Sequence, residues 1–227
     1  MGLLFFFFQA IFLKVDQIGD WTYDQVLLIF ATFHIVDYLV SITFQRNLAF
    51  FLPRRIQMGE LDHRMILPVN LLFLSSFEQL DLADFFSFIP SLGFLGYVLH
   101  RLEFGFSWTH AVIYVALLIN ALVFLFALVL VISTVSFWTT QSYGLARILD
   151  NLMKIGRYPL DIFEGFWKVL FIYFLPLVLI AQLPSQALLK TLSPGFVIFS
   201  FFATGSLLIF ALSFWRIGLR NYMSTST

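Results

Sequence analysis

The sequence contains no cysteine in its 227 residues, which excludes disulfides, thiolate metal sites and cysteine nucleophiles. It also lacks the GxxxxGK[ST] pattern of a nucleotide-phosphate loop, the HExxH pattern of zinc peptidases and a serine–histidine–acid arrangement. We therefore expect no cofactor, no metal site and no catalytic residue in this chain. Of the three classes of function that the sequence allows, an intramembrane enzyme is therefore the least supported.

Charge is scarce as well. Only 11% of the residues are charged, whereas 60% are hydrophobic and 31 are Phe. The mean hydropathy is +0.92, and a soluble domain has about a quarter of its residues charged. The formal net charge is zero, so nothing favours a nucleic-acid partner. The composition predicts an integral membrane protein in contact with lipid.

The hydrophobic residues form six continuous runs, which favours membrane helices over a barrel. A helix needs about 20 residues to cross the hydrocarbon core, so the first run is a short or truncated helix. We predict an all-α, polytopic membrane protein with about six transmembrane helices, cytoplasmic amphipathic helices and a single domain over residues 1–227. The runs cover residues 2–14, 25–50, 83–100, 110–137, 161–183 and 195–215.

Lysine and arginine predict the orientation of these runs. If the connections after the second, fourth and sixth runs face the cytoplasm, ten of the 13 basic residues lie on that side. Basic residues concentrate on the cytoplasmic side of membrane proteins, so both termini are expected there. The ten are Arg46, Arg54, Arg55, Arg64, Arg147, Lys154, Arg157, Lys168, Arg216 and Arg220, and the other three are Lys14, Arg101 and Lys190.

Residues 54–70, RRIQMGELDHRMILPVN, hold many of the few charges. Helical spacing predicts an amphipathic surface element in which Glu60 and Arg64 form an i, i+4 pair, and Pro68 ends the helix. Composition alone also allows a solvated loop anchored to lipid. The mixture of both charge signs favours a docking surface for a cytoplasmic partner, because a lipid anchor needs only basic residues. Its predicted apolar face consists of Met58, Leu61 and Met65.

A second inner connection is expected at residues 138–160. It contains an amphipathic helix that Gly156 ends, and Pro159 suits the first turn of the next helix. The predicted apolar face of the amphipathic helix consists of Leu145, Ile148, Leu149 and Leu152.

Four polar residues share one face of the second run at helical spacing: His34, Asp37, Ser41 and Gln45. A carboxylate at membrane depth is rare and usually functional, so His34 and Asp37 could form a proton relay or contact a polar substrate. The alternative is a hydrogen-bonded pair at a helix–helix interface. Both interpretations stay open on the sequence.

Small residues and prolines predict further details of the helices. Gly205, with its small neighbours Ala203 and Ser206, predicts close helix packing in the sixth run. Pro90 and Pro176 predict kinks in the third and fifth runs.

Three segments together resemble the ABC transporter type-2 permease family, in particular its bacterial six-helix branch. They are GDWTYDQVLL before the second run, IQMGELDHRMILPVNLLF after it, and the long stretch from SFWTTQSYGLARILDN through MKIGRYPLDIFEG to LIAQLPSQALL. The likeness extends from about residue 10 to residue 218. Gly59, Glu60, Asp62 and Pro68 match the inner motif of the family, and Tyr158 and Pro159 match its second motif.

The resemblance implies a permease subunit of an exporter in the bacterial inner membrane. Its implied partners are a separate cytoplasmic ATPase subunit, where ATP is hydrolysed, and a second permease subunit, identical or related. The ATPase-coupling surface would then consist of Arg54, Arg55, Gly59, Glu60, Asp62, Arg64 and Pro68. A membrane scaffold or assembly factor without a transport pathway is the alternative from another class.

Overall fold

The structure is a computed structural model, and it describes residues 2–105, 107–139 and 142–225. These residues form eleven α-helices with short π and 3-10 segments and no β-strand. The all-α prediction is confirmed. The helices are α1 (Gly2–Phe12), α2 (Tyr23–Val40), α3 (Leu52–Gln57), α4 (Leu61–Met65), α5 (Leu71–Phe77), α6 (Leu82–Arg101), α7 (Trp108–Thr134), α8 (Ser142–Ile155), α9 (Gly165–Val169), α10 (Gln182–Leu189) and α11 (Pro194–Thr225).

Four helical segments of the described residues are long and apolar enough to cross a membrane. This agrees with the prediction of a polytopic membrane protein. α1 has 11 residues, as short as the sequence predicted. The four spans are Tyr23–Gln45, Leu82–Arg101, Trp108–Phe137 and Pro194–Met223.

The run at 161–183 is not the continuous helix that the sequence predicted. A short apolar helical segment, Gly165–Phe174, ends where Leu175 and Pro176 leave the helical conformation. Proline has no N–H and disfavours helical geometry in the residue before it. The chain then makes a 3-10 turn, Leu177–Leu179, and enters α10, which packs on α7 and α2. Irregular backbone is tolerated here because it is buried in protein, away from lipid.

α2 continues without a break into α3. The linking segments, Ser41–Gln45 and Asn47–Phe51, are π-helical, and the backbone stays in the right-handed helical region through Arg46 and Leu52. At 1.5 Å per residue, the rod from residue 23 to residue 57 is about 50 Å long. One stiff element therefore joins the Trp21 end of the bundle to the region that contains the charged segment.

α6 lies antiparallel to α2 and is held at both ends. At one end Arg101 Nε lies 3.0 Å from Asp24, and at the other Arg46 lies 2.6 Å from Asp81. The core forms where α2, α7 and α10 meet. There Thr32 is within hydrogen-bonding distance of both the Tyr114 hydroxyl and Ser185 Oγ, at 3.2 Å each. A buried polar cluster of this kind satisfies its own hydrogen bonds and fixes the register of three helices.

α7 and α11 pack most closely at Gly218, not at the predicted Gly205. A Cβ at Gly218 would lie 2.5 Å from the Phe137 ring, whereas one at Gly205 would meet no atom within 4 Å. The prediction for Gly205 is therefore wrong. Small residues permit close approach only where a partner helix is present, and sequence alone cannot locate the partner.

Candidate functional site

The α2–α3 rod ends in a glycine turn. Gly59 has a φ of +70°, its N–H bonds to the carbonyl of Ile56 at 3.3 Å, and the N–H of Glu60 bonds to the carbonyl of Arg55 at 3.0 Å. This pair of bonds is the Schellman arrangement, which favours glycine at the left-handed position. The turn separates α3 from α4. Met58, Leu61 and Met65 consequently do not form the predicted face, since Leu61 is buried and Met58 is 58% exposed.

Glu78 binds two arginines of the charged segment. Arg64 donates two hydrogen bonds to its carboxylate, at 2.5 and 2.8 Å, and Arg55 forms an ion pair at 2.7 Å. The hydrogen bonds from Arg64, together with the charge of Arg55, hold the pKa of Glu78 below its usual value. The predicted pair of Glu60 with Arg64 is not the contact that forms. Glu78 replaces Glu60 because the Gly59 turn redirects the chain.

The seven predicted coupling residues therefore divide into two groups. Arg55 is buried and Arg64 is half-buried, and both face Glu78 inside the corner between α3, α4 and α5. The other five are exposed: Arg54, Gly59, Glu60, Asp62 and Pro68. Three exposed apolar side chains lie beside them: Met58, Ile66 and Leu67. The sequence pattern places Met58 on the apolar face of this element but does not assign Ile66 or Leu67 to the surface. We call residues 54–68 the corner segment.

The corner segment is joined to three of the four spans. It continues α2 directly through α3. The residues that follow it lead into α6. Just before that helix, the Asn47 side chain of the rod donates a hydrogen bond to the carbonyl of Gln79 at 2.7 Å. The hydroxyl of Tyr222, near the end of α11, is hydrogen-bonded to Asp62. The corner segment is therefore linked to α2 directly, to α6 through the chain that follows it, and to α11.

The polar stripe of α2 lines one cavity of about 270 Å³. His34, Asp37, Ser41 and Gln45 all contribute to its wall, so the structure brings these four together. His34 Nδ1 lies 2.8 Å from the carbonyl of Phe30 in its own helix, and no hydrogen bond joins His34 to Asp37. The hydrogen-bonded pair of His34 and Asp37 at a helix–helix interface, which was the alternative on the sequence, does not form between these two described residues.

Other helices complete the cavity. Ser41 Oγ donates to Asp84, in the first turn of α6, and Gln45 Nε2 donates to Asp150 of α8 at 2.8 Å. Lys154 and Arg157 add positive charge from the α8 side. Sequence reasoning missed these groups because helical periodicity relates residues within one helix and gives no information about the helix opposite.

Tyr158 and Pro159 do not lie beside the corner segment. The Tyr158 ring packs 5.9 Å from the Phe8 ring, which is itself 5.8 Å from Phe30 in the first half of α2. Farther along, Asp161 accepts a hydrogen bond from Trp21. The chain from Asp150 to Asp161 therefore runs along α2 from its Gln45 end to its Trp21 end, which corrects the prediction that residues 138–160 form a connection on the Arg46 side alone.

α8 itself ends at Ile155, directly before Gly156, as predicted. Leu149 and Met153 are its buried apolar residues, whereas Ile148 is 55% exposed. The side chain of Leu145 lies outside the described part of the chain. The predicted apolar face is thus shifted around the helix, because α8 packs on α7 and the rod and does not lie flat on a membrane surface.

The family comparison is consistent with this architecture. A family model described as ABC-2 family transporter protein matches residues 1–226. No curated protein and no solved structure matches the chain.

Proposed function

Because the chain belongs to the ABC-2 transporter family, and so is the membrane permease component of an ABC transporter, we propose that it acts in export and receives mechanical work through the corner segment. Members of the family work with an ATP-binding subunit. Among the described residues the corner segment is continuous with a rod of about 50 Å and is tied to two further spans. That continuity is the observation that carries the proposal.

Coupling requires a surface that is both exposed and stiff. Glu60 and Asp62 present negative charge to solvent, and Met58 and Ile66 present apolar groups beside them. Glu78 stabilises the segment through ion pairs with Arg55 and Arg64. A charged rim around an apolar centre is the usual composition of a protein–protein interface.

Closure of the ATP-binding subunits would push the corner segment and move α2 relative to α7 and α10. The displacement would reach α2 because the helical backbone is continuous from residue 23 to residue 57. The substrate pathway would open and close where α2 faces α6 and α8. The direction of transport follows the family resemblance.

The basic residues support a cytoplasmic position for the corner segment. Lys168 does not lie with the basic residues expected on the cytoplasmic side, because its Nζ lies 2.8 Å from Asp161 at the Trp21 end. Lys154 and Arg157 line the cavity. Seven basic residues remain at the predicted cytoplasmic end and four lie at the other. The bias still favours cytoplasmic termini. The bacterial inner membrane and a second permease subunit, identical or related, follow the family resemblance.

Charge reversal tests the coupling surface. We expect the double variant Glu60→Lys, Asp62→Lys to insert in the membrane but to lose ATP-driven transport by more than about tenfold, because like charge at an interface costs several kcal/mol. The measurement is ATP-driven transport, together with co-purification of the ATP-binding subunit.

Two controls isolate the effect of the surface. Tyr222→Phe removes only the hydrogen bond to Asp62, so it measures how much of the loss comes from that contact, and it should reduce transport less than the double variant does. Asp16→Lys with Glu164→Lys reverses two exposed acids outside the corner segment and should keep transport. Transport and co-purification at the wild-type level in the double variant would contradict the proposal.

A further inference from the structure

The cavity beside α2 carries charges of both signs. Its wall includes Asp37 from α2, Asp84 from α6, and Asp150, Lys154 and Arg157 from α8 and the residues that follow it. The position is the half of α2 nearer Gln45, within a membrane span. Ionisable residues at such depth are costly and are usually retained for a ligand, an ion or a partner.

None of these five charged side chains belongs to an ion pair of the described residues. Asp37 and Lys154 form no ion pair and no hydrogen bond within the described part of the chain. The guanidinium of Arg157 lies 5.0 Å from the centre of the Tyr158 ring and pairs with no carboxylate of the described residues. Its Nε is buried without a hydrogen-bond partner. Asp37 and Arg157 are half-buried and Lys154 is exposed, so all three have unused capacity to bind a charged ligand that enters the cavity.

The other two carboxylates of the cavity already accept hydrogen bonds. Asp84 accepts a hydrogen bond from Ser41, and Asp150 accepts one from Gln45 at 2.8 Å. These two hydrogen bonds join the Ser41–Gln45 segment to α6 and to α8 at the wall of the cavity. Asp37 is the carboxylate of the cavity that accepts no hydrogen bond among the described residues, and the groups with free donor capacity are Lys154 and Arg157.

We propose that this cavity binds a zwitterionic head group that carries an ammonium and an anionic phosphate or carboxylate. The ammonium pairs with Asp37, and the anionic group pairs with Lys154 and Arg157. A simple cation would leave the two basic groups unpaired, and a simple anion would leave Asp37 unpaired. Phe33 and Tyr38 supply apolar contact for the remainder of an amphipathic molecule.

If the bound molecule is the transported substrate, this inference rests on the proposed function. Binding itself does not depend on that function, since it needs neither ATP nor the ATP-binding subunit. The test below therefore uses the purified full chain alone.

Three probes with matched oleoyl chains separate the charge requirements. Dioleoyl phosphatidylethanolamine carries both charges, dioleoyl phosphatidylglycerol carries only the anion, and dioleoyl trimethylammonium propane carries only the cation. Native mass spectrometry of the full chain, released from detergent with each probe in equal amount, measures the bound fraction. We expect the zwitterion to be retained about tenfold or more over either single-charge probe, the equivalent of roughly one charge-assisted hydrogen bond. Equal retention of the three, or preference for a single-charge probe, would overturn the proposal without any variant.

Substitutions test which residues bind the ammonium and which bind the anionic group. Asp37→Asn should lower retention of the zwitterion about tenfold and leave the anionic probe unchanged. Lys154→Met should lower retention of both phosphate-bearing probes. Asp16→Asn, an exposed acid outside the cavity, is the matched control and should change nothing. Variants that retain the zwitterion as the wild type does would contradict the assignment.

Free glycerophosphoethanolamine identifies the source of the ligand. Displacement of the lipid by this head group shows that the site accepts soluble zwitterions, and failure to displace shows that it requires a membrane lipid. Either result supports the charge assignment. If lipid selectivity is absent but the corner-segment variant still abolishes transport, this inference fails and the proposed function stands.

Discussion

Trp21 and Asp161 are 140 residues apart in sequence and are joined by a hydrogen bond of 2.8 Å from the indole Nε1 to Oδ2. The other oxygen of Asp161 lies 2.8 Å from Lys168 Nζ. Trp21 is buried and directly precedes α2. The contact joins the start of the rod to the segment that leaves the polar cavity, and so it stabilises the Trp21 end of the bundle.

Trp21→Phe should destabilise the protein. The substitution removes the indole donor and leaves an acceptor of Asp161 less satisfied, at an expected cost of about 1–2 kcal/mol. Thermal unfolding of the purified chain in detergent measures the loss, which for a chain of this size corresponds to a decrease of roughly 2–8 °C in the midpoint. Trp167→Phe, at a ring that is 57% exposed, is the matched control and should leave the midpoint unchanged.

Glu78→Gln should loosen the corner segment. The amide cannot pair with Arg55 and Arg64 as a carboxylate does, and Arg55 is buried, so we expect a loss of about 1–3 kcal/mol. Hydrogen exchange of residues 54–68 should accelerate, while that of α7 stays protected. Glu60→Gln is the control, because Glu60 is exposed and forms no ion pair among the described residues. Unchanged exchange in Glu78→Gln would show that the two arginines do not depend on this carboxylate.

Acid should reproduce the effect of Glu78→Gln in the wild type. The folded protein lowers the pKa of Glu78, so the stabilisation is fully present above the ordinary carboxyl pKa and is lost as the pH falls through the lowered value. The difference in unfolding midpoint between the wild type and Glu78→Gln should therefore shrink as the solution is acidified. A difference that stays constant with pH would exclude an electrostatic role for Glu78.

Gly59→Ala should weaken the turn at the end of the rod by about 1 kcal/mol, because alanine disfavours a positive φ. A Cβ at this position would meet no atom within 4 Å, so the cost is conformational and involves no steric clash. Gly59→Asn should be milder, since asparagine tolerates the left-handed region better. The midpoints of unfolding should rank wild type, Asn, Ala. A midpoint for Ala at or above the wild type would contradict the role of the turn.

Gly218→Ala and Gly205→Ala form a matched pair on α11. The first places a methyl group 2.5 Å from the Phe137 ring, which is held at 5.4 Å from the Trp215 ring, so we expect overpacking that costs about 1–3 kcal/mol. The second meets open space and should be neutral or slightly stabilising. Thermal unfolding of both variants makes the comparison, and equal midpoints would show that α7 and α11 separate easily at Gly218.

Local chemistry made several features of the fold predictable. Continuous apolar runs predicted helices, although four helical segments of the described residues are long and apolar enough to span a membrane where about six were expected. Gly156 predicted the end of α8. The 3.6-residue period placed His34, Asp37, Ser41 and Gln45 on one face, and all four line one cavity. Each of these inferences uses only neighbours in sequence, so no knowledge of the fold was needed.

Long-range pairing was not predictable from the same patterns. Arg64 has an acid at helical spacing in Glu60, yet it pairs with Glu78, 14 residues away, because the positive φ of Gly59 turns the chain. Lys168 was assigned to the wrong end of the bundle because charge counting assumes that every apolar run crosses the membrane, and Pro176 prevents that for residues 161–183.

The sequence by itself determined that this chain is helical, lies in a membrane and concentrates its charge in one corner segment, since hydropathy and periodicity are local properties. Only the tertiary structure decided which charges are paired and which face a cavity. The reason is that a charge finds its partner across space, and in this fold Asp37, Lys154 and Arg157 come together from α2 and the far end of α8 without neutralising one another.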